Sequence, residues 1–329
     1  MTSIPTIELG RLDGSPADRA RLARDVDEVA REVGFLYLSD HGVDDRLIAD
    51  MWAVTNEFFD LPLEVKSKYV AEVLSSERGY TRFATEHHAH TLGATAPADL
   101  FEAFTMGNFD LEDDDYVNRA TETFFWANIW PVEVAEMREV WERYHSTIGR
   151  VSHRLMSALA LALDLPDDWF MPYVDRDVRT VRSLRYPSLV QAPEADQFGI
   201  AAHSDYGSIT ILNTNGISGL QVEREVGGDW IDVPHVDGAF IVNVGDIMSR
   251  WSNGRWRSTM HRVVRRPGEP MRQSIAHFCA PNYDAVVSAL PNCVPAGEEP
   301  RFAPVVSGEW ILAKLRSAYT EPLEVEPAR

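Results

Sequence analysis

Between residues 181 and 280 short β-prone runs alternate with turns: VRSLRYP (181–187), ITILNTN (209–215), GLQVE (219–223), WIDVP (230–234), GAFIVNVGD (238–246), HRVVRR (261–266) and SIAHFCA (274–280). Gly227-Gly228-Asp229 and Asn253-Gly254 punctuate them. Many short strands between turn signals indicate a sandwich or barrel. A double-sheet jelly roll, which includes the cupin-type barrels, is a standard solution for such a chain. Upstream the periodicity is helical. Ser15-Pro16 supplies an N-cap and a proline for the first helical position. Leu22, Val26, Val29 and Val33 follow at helical spacing until Gly34 stops the helix. Strands are predicted from Ile4 to Leu9 and over GFLYLSDHGV (34–43), a helix from Asp44 to Phe59, and a short one from Glu64 to Tyr69. A long helix follows Trp130-Pro131, carried by Met137, Trp141, Tyr144, Ile148, Val151 and Leu155, and ends near Pro166. Residues 75–125 lack a clear pattern and predict an irregular lid or substrate-side loop. The expected fold is α+β. A jelly-roll, double-stranded β-helix core spans 176–329 and includes a C-terminal helix. The long helix at 126–175 supports it. An N-terminal region at 1–125 contributes helices, edge strands and the irregular loop.

Composition narrows the function. The 329 residues hold 31 Lys and Arg against 51 Asp and Glu, a net charge of -20. No basic footprint for nucleic acid is visible, and anionic membranes should repel the chain. The longest apolar run, 158–163, is far short of the roughly 18 residues of a membrane span. MTSIPTIELG at the start has neither the cationic nor the apolar region of a signal peptide. Cys279 and Cys293 alone build no disulfide framework. A reducing cytoplasm is the simplest context. The expectation is a cytoplasmic monomer or small homo-oligomer acting on a small molecule.

His203 and Asp205 lie in AAHSDYGSITIL (201–212) and His261 in STMHRVV (258–264). Alternate residues of a strand share a face, which would place His203 and Asp205 side by side. Two neutral imidazoles and one carboxylate form the facial triad of non-heme Fe(II) oxygenases. His-x-Asp alone is common in solvated turns; the third ligand and the Arg272-x-Ser274 that follows it give the pattern weight. A guanidinium pairs with a carboxylate through two parallel hydrogen bonds, and a serine hydroxyl adds a third. An internal salt bridge is the plain alternative for Arg272. Among the other histidines, His277 reads as a packing residue, His235 as surface, and His41, His145 and His153 need no function. His87, His88 and His90 are expected in solvent, with substrate contact as the alternative. LEDDDY (111–116) reads as a solvated loop.

At this point the chain resembles the 2-oxoglutarate- and Fe(II)-dependent dioxygenases of the isopenicillin N synthase-like group. The resemblance runs in order through IPTIEL, GFLYLSDHGV, FFDLPLEVKSKY, DLFEAFTMGN, NIWP, GLQVE, WIDVP, GAFIVNVGDIM, SNGRWRSTMHRVV and RQSIAHFCAPNYDA. It implies His203, Asp205 and His261 as iron ligands, and Arg272, Ser274 and Tyr186 as the residues holding 2-oxoglutarate. Where many members carry an Asn, this chain has Leu184, so the cosubstrate must lose one polar contact or find another donor. The implied reaction consumes 2-oxoglutarate and O2 and oxidises a substrate C–H bond, by hydroxylation, desaturation or ring formation. Ascorbate should stimulate it. The metabolism implied is secondary or amino-acid metabolism. A 2-oxoglutarate-independent oxidase of the same group, a non-catalytic binding protein that kept the barrel, and a zinc hydrolase with three protein ligands are the alternatives.

Substrate residues are less constrained. Arg182, Leu184 and Tyr186 share one strand face. Arg182 reads either as a barrel-mouth cation paired with a surface acid or as an anchor for an acceptor group on the substrate. Phe83 and Phe104 are expected as apolar walls, with His88 and Phe278 as further candidates.

Overall fold

Alternation at period two splits the C-terminal half into two facing sheets, and the computed structural model describes residues 4–319 of them and of the helices around them. The N-terminal part contains β1 (Thr6–Glu8), α1 (Pro16–Glu32), β2 (Phe35–Ser39), α2 (Asp45–Phe59), α3 (Leu63–Lys66), β3 (Gly79–Thr81), β4 (Glu102–Gly107) and α4 (Asp115–Ala120). The long α5 (Met137–Ala162) and short α6 (Met171–Val174) follow. Then come β5 (Val178–Tyr186), β6 (Ile200–His203), β7 (Ile209–Thr214), β8 (Leu220–Glu223), β9 (Trp230–Asp232) and β10 (Phe240–Val244). The rest is α7 (Asp246–Trp251), β11 (His261–Val263), β12 (Arg272–Ala280), β13 (Val286–Val287), β14 (Val305–Val306) and α8 (Ser307–Tyr319).

The larger sheet has eight strands in the order β1-β2-β10-β7-β12-β5-β4-β3, and the smaller has four in the order β6-β11-β8-β9. They form the jelly-roll sandwich. The large sheet takes β1 and β2 at one edge and β4 and β3 at the other, so strands from residues 1–125 flank those from 176–329. Two apolar layers result. Outside the large sheet, Val181, Ile209, Ile211, Val242 and Ile275 join the core formed with α1, α2 and α5. Between the sheets, Phe35, Leu184, Tyr186, Ile200, Val222 and Val263 form a second core.

The N-terminus of α1 is a capping box: Ser15 Oγ accepts from Asp18 N, and the Asp18 carboxylate accepts from Ser15 N. Gly34 at φ 71 ends that segment, and a Cβ there would lie 2.3 Å from the Arg257 carbonyl oxygen. The first strand is shorter than expected, because the chain turns into a 3-10 helix at Leu9–Asp13.

The expectation of an irregular loop at 75–125 needs correction. DLFEAFTMGN holds β4, which pairs with β5 over six residues and extends the large sheet. Its run is too mixed for alternation to stand out. The acidic stretch 111–116 is mostly exposed, but Asp114 caps α4 and pairs with Arg176 at 2.6 Å.

Candidate active site

His203 ends β6 and His261 begins β11, and the two are direct antiparallel partners. Their ring centroids lie 4.2 Å apart. Asp205 follows two residues beyond β6, with Oδ1 3.8 Å from His203 Nε2 and 3.7 Å from His261 Nε2. One ligand atom from each of the three buried residues lies within 4.8 Å of the others.

The orientation of each group is fixed from behind. His203 Nδ1 bonds the Ala201 carbonyl at 2.9 Å, and His261 Nδ1 bonds the Thr259 carbonyl at 3.1 Å. With Nδ1–H donating, each Nε2 lone pair faces the centre. Asp205 Oδ2 accepts from Thr210 Oγ1 at 2.5 Å and from Asn243 Nδ2 at 2.7 Å, leaving Oδ1 turned toward the same centre as the two Nε2 atoms. Burial, then the proximity of His261 and His88, holds His203 well below the usual histidine range. The donor set is two imidazole nitrogens and one carboxyl oxygen, which suits a divalent first-row metal. Thr210 and Asn243 are not among the residues that the sequence reading singles out. An Asn in the apolar run FIVNV is nonetheless a usable signal, since a buried amide requires a partner.

The same cavity extends along the inner face of β12 and β5. Arg272, Ser274, Ala276, Phe278 and Ala280 line it from β12, and Thr180, Arg182, Leu184 and Tyr186 from β5. Arg272 pairs in register with Tyr186 and Ser274 with Leu184. The Arg272 guanidinium sits 4.9 Å from the Tyr186 ring centroid, with Nη1 3.4 Å from Ser274 Oγ. Arg272 is 1% exposed, its Nε has no partner, and no carboxylate among the described residues pairs with it. Burial, with Arg265 nearby, pulls its pKa down. A buried guanidinium without an acid is costly unless a ligand supplies the anion. Leu184 offers no hydrogen bond opposite Ser274.

Beyond Ser274 the cavity is more polar than the sequence suggests. Arg182 is 4% exposed and donates to Glu77 Oε1 at 3.1 Å and to Glu86 Oε1. Its partners are thus acids inside the cavity rather than a surface acid at its mouth. Tyr319 OH donates to Glu86 at 2.7 Å. Ile311, Leu315 and Ala318 of α8 line this end with Phe124.

Three expectations are corrected here. Phe104 lies on the outer face of β4, against Phe58 at 4.7 Å and Trp141 at 5.1 Å, because its parity is opposite to that of Ala103 and Thr105. Phe83 is 42% exposed and does not line the cavity. His88 and His90 are buried rather than solvated. His88 lines the cavity, its ring 4.8 Å from that of His203. Its Nδ1 bonds Asp99 Oδ2 at 2.8 Å, while Asp99 Oδ1 accepts from Ala201 N at 2.7 Å. Burial alone would lower the His88 pKa, but Asp99 and Glu86 together outweigh it and the pKa rises. Glu77, Glu86 and Asp99 carry no sequence signal, since each lies in a loop without periodicity.

A jelly roll with a facial His-Asp-His triad and a buried cationic clamp beside it defines a non-heme iron oxygenase site. Comparison with known proteins narrows the class. Residues 4–133 match the family described as non-haem dioxygenase in morphine synthesis N-terminal, and residues 179–281 match the 2OG-Fe(II) oxygenase superfamily. A 2-oxoglutarate-Fe(II) type oxidoreductase of Emericella nidulans is 32% identical over 97% of this chain and 91% of its own length. Validamycin A dioxygenase of Streptomyces hygroscopicus subsp. limoneus is 34% identical over 95% of this chain and 86% of its own. Among solved structures, a full-length Neurospora crassa protein in complex with α-ketoglutarate and thymine superposes with a TM-score of 0.83 at 26% identity, covering 96% of this chain and 97% of that one. The chain belongs to the 2-oxoglutarate- and Fe(II)-dependent dioxygenases of the isopenicillin N synthase-like family. It is an Fe(II)- and 2-oxoglutarate-dependent oxygenase acting on a small molecule, which sets aside the binding-protein and hydrolase alternatives. No helix among the described residues is long and apolar enough to cross a membrane.

Proposed function

We propose that His203, Asp205 and His261 hold the iron and that Arg272, Ser274 and Tyr186 hold 2-oxoglutarate, in a protein that oxidises one C–H bond of a small molecule. The observation that carries this reading is Arg272, a fully buried guanidinium with no acid partner among the described residues, in the cavity that also contains the triad. Fe(II), when bound, would supply the O2-dependent redox chemistry that couples cosubstrate decarboxylation to substrate oxidation.

The chain's own groups bind and orient. Arg272 pairs the distal carboxylate and Ser274 donates to it. Tyr186 stacks under the guanidinium and limits its rotamers. The Nδ1–H of each imidazole, donated to a carbonyl oxygen, fixes the tautomer that turns Nε2 toward the centre, and burial holds His203 neutral. Thr210 and Asn243 keep Asp205 Oδ1 turned inward. Leu184 excludes water beside Ser274, while Phe278 and the α8 residues Ile311 and Leu315 give the substrate end apolar walls.

The relatives are named for different small molecules, so the family does not fix the substrate. We infer a role in secondary or amino-acid metabolism, in the cytoplasm, as a monomer or small homo-oligomer, with 1–125, 126–175 and 176–329 acting as one catalytic unit. The test is a screen of small-molecule pools for succinate formation by the Fe(II)-loaded protein with 2-oxoglutarate and ascorbate. Succinate released in step with oxidation of one pool component supports the reading. Oxidation without 2-oxoglutarate consumption would favour the oxidase alternative.

A further inference from the structure

The substrate end of the cavity holds more acid than its arginine needs. Arg182 faces two carboxylates, Glu77 and Glu86, with side chains only 15% and 1% exposed. Both carboxylates line the cavity. Each engages a single oxygen: Glu77 Oε1 accepts from Arg182, and Glu86 Oε1 accepts from Arg182 and Tyr319. No donor among the described residues reaches the second oxygen of either.

Arg78 lies beside Glu77 and tempers the local charge, but it fills no acid acceptor. Its guanidinium donates to the carbonyl oxygens of Ser76, Glu77, Phe124 and Trp126. The Glu77 carboxyl is accordingly pushed above its ordinary range by burial and by Glu86, despite Arg182 at 3.1 Å. Glu86, more directly engaged by Arg182, lies below its own range even though burial opposes this. Glu77 accepts one hydrogen bond where Glu86 accepts two, so Glu77 has the more open acceptors.

The position suits recognition. Arg182 pairs in register with Ala276, and Ala276 with Leu212 of β7, whereas Thr210, which holds Asp205, pairs with Phe278. The Arg182 backbone thus lies about one pleat, roughly 7 Å, from the strand level of Thr210 and between it and Ser274, and its side chain meets Glu77 and Glu86 in the cavity that the triad also lines. Phe278, Phe124, Ile311 and Leu315 supply apolar surface in the same cavity.

We propose that the substrate end of this cavity is a cation subsite: the substrate carries an amine, amidine or guanidine on an aliphatic body, and the Glu77 carboxylate receives it. A charged N–H donor completes the unused acceptors, and such charge-assisted bonds are about twice as strong as neutral ones. A net charge of -20 also attracts cations to the molecule. This inference rests on the functional reading above, because it uses the triad to fix which end of the cavity meets the substrate.

The test uses calorimetry on the full chain loaded with Mn(II) and 2-oxoglutarate. The probes are pairs matched in shape but not in side-group charge: butylguanidine against butylurea, arginine against citrulline, and lysine against norleucine. In at least one pair the charged member should bind about tenfold tighter or more than its neutral counterpart. Glu77→Gln should collapse that ratio to near unity, and Glu77→Asp should retain part of it. Equal binding within every pair, including no binding of any probe, overturns the proposal, as does a Glu77→Gln variant that keeps the full preference. If the Gln variant does not fold, the wild-type ratios and Glu77→Asp still decide. Titrating 2-oxoglutarate into the Mn(II)-loaded protein, before any cosubstrate or probe is added, separates the two readings. Absence of cosubstrate binding in the wild type sinks the functional assignment, whereas normal cosubstrate binding without charge preference sinks the cation subsite alone.

Discussion

The two faces of β12 carry opposite chemistry on one nine-residue strand. Gln273, Ile275, His277 and Cys279 point outward to the helical layer, where His277 is 0% exposed and contacts Ser152 of α5. Arg272, Ser274, Ala276, Phe278 and Ala280 point into the cavity. The outer face is closed by packing. The inner face keeps a buried cation without an acid, a state that packing alone would not favour. β5 repeats the contrast, with Val181 in the outer core and Arg182 inside. The same alternation that builds the sandwich thus separates what packs against the helices from what lines the cavity.

The largest way to break this contrast is at the triad. His203→Ala, Asp205→Ala or His261→Ala should abolish turnover and sharply weaken Fe(II) binding while leaving the melting temperature of the metal-free protein nearly unchanged; full activity in any of them would end the triad assignment. Next comes the outer face of the sheet. Phe104→Ala should lower stability by about 3–5 kcal/mol through the cavity it leaves, measured by denaturant unfolding. Phe83→Ala, at the surface, should stay within about 0.5 kcal/mol of wild type. Similar losses for the two would mean that Phe104 is not the core residue its contacts indicate. Asn243→Ala should reduce metal affinity by about 10–100-fold without altering fold, because it orients Asp205 from behind; competition with a calibrated chelator reads this. An effect of similar size is expected at the clamp. Arg272→Lys should cost about 1.5–3 kcal/mol in 2-oxoglutarate binding, roughly tenfold or more, since an ammonium cannot reproduce the fork. Ser274→Ala should cost less.

How much of this is legible in the sequence follows from periodicity. Alternation in VRSLRYP and RQSIAHFCA fixes which residues share a face, so Arg182, Leu184 and Tyr186, and likewise Arg272 and Ser274, group together on the strand pattern alone. His203, Asp205 and His261 are legible as residue types in a strand-rich context. Their mutual placement is not, because it depends on β6 pairing with β11 across a long stretch of chain. Phe104 escapes the pattern because β4 lies in a segment that does not alternate cleanly, so no face can be assigned. His88 reads as solvent-exposed because nothing local shows that α8, more than two hundred residues later, covers that loop. The helix does so through Lys314 Nζ donating to the Thr91 carbonyl at 2.8 Å and the His87 N–H donating to the Ala318 carbonyl at 3.0 Å. The same long-range cover brings Tyr319 onto Glu86.

The most direct test of the central claim, that the inner face of the large sheet and the triad form one cosubstrate site, is anaerobic calorimetry of 2-oxoglutarate with the Fe(II)-loaded protein. The account predicts a single site per chain whose affinity falls sharply in both His261→Ala and Arg272→Lys, with Phe104→Ala binding normally under folding conditions. Unchanged 2-oxoglutarate affinity in both of the first two variants would contradict it.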